Sequence, residues 1–387
     1  MSERPAAVAD AKPHPTPTTP STRRSRLRIT LRLSAVAAGL AAPLYADVFW
    51  LQLALFAFAA VVATLGLTML LGQAGQLSLG HAFFAAVGAY GYTVLAGQPK
   101  STGSIQQIGL GLPPVIAAAL AACLAGLAGV LFSPIAARLR GIYLGIASLA
   151  LVFLGEHLLF NTPALSGGVN GRDVPIFTLA GIQFDDNPDA TLYIAGVPFG
   201  REARLWYLGL AVVVAAYLFY RNLIRARPGR ALRALRDREL MAGVMGVPVT
   251  VYKARVFAVS SAYAGVGGVL LALAYGRVVP DTFSVKLSVA YLAMAVIGGL
   301  GSASGAVAGA TFVATLPAIF ERYTDVIPGL AAAGSGGLTP SVAATLLYGA
   351  AIVALLLIEP GGVAACAARV QRRLAARRQV TVNHPNH

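Results

Sequence analysis

Charge is scarce in this chain, and the scarcity excludes a soluble fold. Only 12% of the 387 residues are charged, against about 25% in an ordinary globular domain. The charges are also bunched. Apart from His81, no acidic or basic residue lies between Asp47 and Lys100, none between Lys100 and Arg138, and none between Lys286 and Glu321. Each interval is long enough for one or two bilayer crossings of about 20 residues. Two cysteines, Cys123 and Cys366, are too few for a disulfide framework and read as packing residues. Lysine occurs only at Lys12, Lys100, Lys253 and Lys286. None follows a phosphate-cradling glycine loop, so any energy from ATP must come from another polypeptide. No paired metal ligands and no Ser–His–Asp spacing stand out. Neither a metal site nor a catalytic residue is expected.

What the sequence does have is apolar residues, 57% of the chain, arranged in runs between charge breaks. The runs predict an all-α, polytopic helical bundle of about ten crossings. These fall near 31–46, 48–71, 77–96, 108–135, 142–160, 205–220 and 256–276, with two in 287–320 and one at 342–358. Thirty-four residues are few for two full spans, so one of that pair is expected to be short or re-entrant. The division by region is a disordered leader over 1–28, a transmembrane domain over 29–366 and a basic tail over 367–387. Within the transmembrane domain, 161–203 forms an outer loop and 221–255 an inner one. The net charge of +15 is explained by basic inner loops rather than by nucleic acid binding. With ten crossings, both termini lie in the cytoplasm, and 23 of the 30 basic residues face that side.

Three glycine-rich stretches lie at membrane depth. Residues 72–91 combine Gly75 and Gly80 with Gln73, Gln76, Ser78 and His81. Broken helices with polar groups survive in a bilayer only against protein or a water-filled cavity. Lining of a translocation pathway and tight helix packing both fit. Residues 296–310 include Gly299 and Ser302 and carry a ladder of Gly301, Gly305 and Gly309, the spacing that lets helices approach closely. Residues 165–173 hold Gly168 and Asn170, as an ordinary turn or as the outer mouth of a pathway. Nearby Glu156 and His157 are the remaining ionisable candidates at the membrane edge.

The inner loop, 221–255, carries nine Lys or Arg against two acids. Pro228 and Gly229 open a helix there, and Gly246 with Pro248 close it. Asp237 is a candidate cap and Glu239 lies near the positive end. Leu240, Met241, Val244 and Met245 form an apolar stripe at helical spacing. The stripe fits either the protein's own membrane face or a groove in a partner. Arg230, Arg233, Arg236 and Arg238 suit lipid headgroups or acidic partner groups.

Five segments resemble, in order, the permease subunits of the branched-chain amino-acid family of ABC importers. They are LLGQAGQLSLGHAFFAAVGAY (70–90), LRGIYLGIASLAL (139–151), SGGVNG (166–171), GRALRALRDRELMAGVMGV (229–247) and GGLGSASGAVAGA (298–310). The resemblance implies a type II-like importer fold in the bacterial cell membrane. It also implies a second related permease subunit, two cytoplasmic ATPases that hold the ATP and Mg, and an extracytoplasmic solute-binding protein. In the family the inner loop carries a coupling helix, whose motif Glu239, Ala242 and Gly246 match. Met241 and Gly243 depart from it. Branched-chain or other hydrophobic amino acids are the first expectation for the solute, urea or short amides the second. An ion-coupled transporter working without ATPases is the rival class, with His81 and Glu156 as its only membrane-depth ionisable groups.

Overall fold

The computed structural model describes residues 39–102, 105–179, 181–185, 192–194, 197–323, 339–358 and 369. The leader and nearly all of the basic tail lie outside the described residues, as does the first half of the first expected span. Two compact units are present, Met1–Tyr45 and Ala46–His387. In the first, residues 39–45 are helical.

The frame of the second unit is helical throughout. Helix α1, Val48–Thr68, opens with the Asp47 carboxylate accepting from the Val48 amide at 2.9 Å and runs on as a π-turn, Met69–Gln73. Residues 75–80 are irregular, and α2 follows over His81–Ala96. Helices α3, Pro114–Arg138, and α4, Ile142–Asn161, form the next pair. Helix α5 spans Arg201–Arg225, α6 Arg227–Asp237, α7 Glu239–Val244 and α8 Val249–Tyr275. Last come α9, Val285–Gly298, α10, Ala303–Arg322, and α11, Pro340–Ile358.

Among the described residues, seven helical stretches are long and apolar enough to cross a membrane. This makes the chain a multi-pass membrane protein, but it does not confirm a count of ten. Helix α2 has only 16 residues because its first turn starts after the irregular segment. The pair expected in 287–320 resolves into the 14-residue α9 and the 20-residue α10. The short member is therefore α9, preceded by a 3-10 turn at Pro280–Phe283.

Helix α8 is the hub and packs against α1, α2 and α3. Small residues make that possible. A Cβ on Gly268 would overlap the Ala85 carbonyl of α2, and one on Gly88 would overlap the Gly265 carbonyl. Backbones this close gain dispersion contacts that larger side chains would forbid. The expected glycine ladder works the same way between α9 and α10, where Gly309 meets the Met294 carbonyl and Gly298 the Gly305 carbonyl. Gly301 is not a rung. It sits in the turn before α10 with φ 88°. Helix α3 turns Leu120, Leu124, Leu127 and Leu131 outward, an apolar face suited to lipid. Cys123 is exposed on that helix and is not the packed residue expected.

The inner loop is not one polar helix. The chain breaks at Ala226, and Pro228 stands in the first turn of α6, where its missing N–H costs no helical bond. Leu232 and Leu235 bury one face of α6, while Arg230, Arg233 and Asp237 stay exposed. Asp237 ends α6 and caps nothing; Arg238 precedes α7 and makes no side-chain cap bond. The outer segment, 161–203, is also more structured than a plain loop. Its Arg172–Asp173 pairs antiparallel with Arg277–Val278, and Thr178–Leu179 pairs with Ile182–Gln183.

Candidate functional site

The end of α1 shows how the sequence breaks a helix. Gly72 lies so close to Gly301 that a Cβ would overlap the Gly301 amide, and the ladder there widens into the π-turn. The carbonyls this releases find partners elsewhere. Arg236 donates from Nη1 to the Gly72 oxygen at 2.6 Å, and the Gln76 backbone N–H donates to the Leu70 oxygen at 3.1 Å. Gly75 has φ 69° and lies against the Arg236 side chain. Gln73 donates from Nε2 to the Gly301 oxygen at 2.9 Å. Gln73, Gly75, Gly301 and Arg236 therefore form one cluster, which joins residues expected in a pathway to one expected in coupling. Gly299, with φ 100°, and Ser302, whose Oγ accepts from the Gly305 amide at 3.2 Å, shape the adjoining turn.

Glu239, the first residue of α7, is held from two sides. Lys253 Nζ of α8 lies 2.8 Å from Oε1, and Arg140 Nε lies 3.3 Å from Oε2. Lys253 is 7% exposed at its side chain and Glu239 23%, so the short pair is screened from water far better than a surface bridge. Ala242 packs inward while Gly246, at φ 83°, lets the Val247 amide reach back to the Ala242 oxygen at 3.0 Å. The result is a short helix fastened by one acid, one alanine and one glycine. Its other face is bare: Leu240 is 77% exposed, Met241 56%, Val244 83% and Met245 84%.

Between this anchor and the irregular segment lies a cavity of about 190 Å³. Gln76, Arg140, Arg236, Glu239 and Lys253 supply its polar wall, with Leu139, Leu144, Leu232, Leu235 and Val256 around them. Gln76 is 5% exposed, and neither atom of its amide has a partner among the described residues.

Further into the bundle, α2 begins among hydroxyls. Ser260, eleven residues along α8, stands roughly 16 Å from that helix's start at 1.5 Å per residue. Its Oγ donates to the Gly66 oxygen at 2.7 Å and lies 3.1 Å from His81 Nε2. Because the hydroxyl proton is committed to Gly66, Nε2 carries the imidazole hydrogen, and Nδ1 is left without a partner. Ser148 Oγ accepts from the Leu79 amide at 2.8 Å, Ser288 Oγ from the Ala82 amide at 3.0 Å and Ser78 Oγ from the Gly80 amide at 3.3 Å. The amides that a helix start leaves unpaired are satisfied this way. Gly80 packs directly on Ser148.

Gly168 and Asn170 are not near these groups. They lie with the Arg172–Val278 pairing at the opposite end, where Asp173 bridges Lys100 at 3.3 Å and Arg277 at 3.1 Å. Gly168 is buried with φ 69°, Asn170 is exposed, and buried Arg172 donates to the Leu165 oxygen at 3.4 Å. Burial lowers the Arg172 pKa, though a guanidinium stays charged at neutral pH. A wider cavity of about 500 Å³ also opens toward this end, with Phe56, Leu271 and Met294 below and Asp281, Lys286 and Glu321 among its lining residues. Sequence reasoning found none of the residues in that cavity, and it missed Arg140, Lys253, Ser148, Ser260 and Ser288. Lys253 stood out only as a lone lysine near the start of an apolar helix, and nothing in the sequence paired it with Glu239.

Residues 49–358 match the family described as branched-chain amino acid transport system / permease component. The LivM high-affinity branched-chain amino acid permease protein of Salmonella typhimurium is 33% identical over 251 residues, 62% of this chain and 56% of the relative. A probable LivM of Methanocaldococcus jannaschii is 24% identical over 289 residues, 68% of this chain and 78% of the relative. The LivH permease protein of Salmonella typhimurium is 32% identical over 122 residues, 32% of this chain and 38% of the relative. The match thus spans little more than half the length of the Salmonella LivM protein. No solved structure matches. The family's match over four-fifths of the sequence settles its class: the chain belongs to the branched-chain amino acid transport permeases.

Proposed function

We propose that this chain is the membrane-spanning permease subunit of an ATP-driven importer for branched-chain or other hydrophobic amino acids. The observation that carries the reading is α7. A short helix with four large apolar side chains in water is a poor resting state, since each exposed one forgoes about 1.5–3 kcal/mol of burial. The helix is nevertheless held in place, through Glu239, by α8 and by the start of α4. That is the form of a lever that a soluble partner grips.

The basic side chains around it support a cytoplasmic α7 under the positive-inside rule. The partners there are two ATPases carrying ATP and Mg, one of them docked on Leu240, Met241, Val244 and Met245. Similarity to proteins named LivM and LivH supports pairing with a second related permease subunit. The opposite end, with Gly168, Asn170 and the Asp173 bridges, then faces an extracytoplasmic solute-binding protein. Closure of the ATPases moves α7. Glu239 and Arg236 carry that movement to α8 and to the Gln73–Gly80 break, which opens or closes the pathway at the permease interface.

The test replaces Leu240 and Val244 with Asp. Both side chains point away from the bundle, so the variant is expected to insert normally while ATPase co-purification and ATP-driven leucine uptake fall at least tenfold. Full co-purification and uptake in a well-inserted variant would remove α7 as the docking element.

A further inference from the structure

The lining of the cavity beneath α7 holds more polar groups than the Glu239 anchor uses. Three cations, Arg140, Arg236 and Lys253, face one carboxylate, Glu239, so the wall carries an excess of two positive charges. Gln76 adds an amide 95% removed from solvent, with both its donor and its acceptor unused. Leaving such a group unpaired in protein costs about 1–3 kcal/mol, and a side chain that size could have been leucine. Five aliphatic side chains close the remainder.

We propose that this cavity is a binding site for a free aliphatic α-amino acid in its zwitterionic form, entering from the face on which α7 lies. The carboxylate meets the Arg140, Arg236 and Lys253 donors. The ammonium group donates to Gln76 Oε1 and Glu239, and the side chain lies against Leu144, Leu232 and Val256. A simple anion such as phosphate would leave Gln76 Oε1 unmatched and the aliphatic wall uncovered. The ligand would bridge the broken segment, α6 and the first residue of α7, so occupancy holds the lever still. Accumulated product on that side therefore slows further import. The sidedness and the solute class rest on the function proposed above.

The test measures binding of radiolabelled L-leucine to the reconstituted complete importer without its solute-binding protein. Saturable binding is expected, displaced by valine and isoleucine but not by acetate or inorganic phosphate. Gln76→Glu, Arg236→Gln and Val256→Phe should each weaken it at least tenfold, the last by filling the cavity. Lys286→Gln, in the wide cavity toward the other end, should leave it unchanged. Absence of saturable binding, displacement by phosphate, or loss in Lys286→Gln with no loss in the other three would overturn the proposal. ATP-driven uptake, measured on the same vesicles with the binding protein restored, separates the two ideas. Leucine import without cavity binding sinks only the inference. Cavity-dependent leucine binding in an importer of some other solute sinks only the solute class.

Discussion

At the scale of single residues, Glu239 has the most consequential surroundings. Its carboxylate is 2.8 Å from a nearly buried lysine and 3.3 Å from Arg140, so it ties three elements together. Removing one partner of a well-buried pair costs about 3–5 kcal/mol; with Arg140 remaining and Glu239 partly solvated, Lys253→Met should cost roughly 1–3 kcal/mol. Thermal unfolding of the detergent-solubilised protein reads this as a lower midpoint. Adding Glu239→Leu should return most of that stability, because an apolar pair of similar volume replaces two desolvated charges. Transport should not return with it. Recovery of both would mean that the carboxylate merely fills space. Glu239 was legible in the sequence through its motif and its place at a helix start. Lys253 was not, because the two residues belong to different helices separated by the turn at Gly246, and spacing alone does not reveal which helices meet.

At the scale of elements, glycine decides which helices touch. Gly268 sits against the backbone of α2, so even Gly268→Ala should cost about 1–3 kcal/mol through overpacking. Gly349 in α11 has open space around its Cβ position, and Gly349→Ala should be neutral or stabilising by up to ~1 kcal/mol. Unfolding midpoints of the two variants should therefore move in opposite directions or differ clearly in size. The broken stretch before α2 was readable from Gly72, Gly75 and Gly80 amid Gln and Ser. The π-turn was not, since it lies where Gly72 packs on Gly301, a contact across 229 positions of chain. The inner loop was read as a helix between Pro228 and Gly246, with Asp237 as the cap of a short inner helix. Pro228 and the Arg238 turn divide it, and that division lets α7 stand apart with its apolar face exposed.

At the scale of the whole molecule, the class was plain from the charge-free intervals, because 20 apolar residues have few alternatives to a lipid-embedded helix. The span count was not. Hydropathy does not show that α2 starts only at His81 and has 16 residues, or that the stretch Pro280–Gly298 is a 3-10 turn followed by the 14-residue α9. The molecule places one group of expected pathway residues, Gln73 to His81 with Gly301, toward the α7 end, and Gly168 with Asn170 at the other. A conduit worked from one end fits that separation. Its most direct test is solute movement in sealed vesicles holding this chain and its companion permease, with and without the ATPases. Leucine should accumulate only when the ATPases and hydrolysable ATP are both present on the α7 side. Accumulation driven by an ion gradient alone, with no ATPase and no nucleotide consumed, would contradict the account.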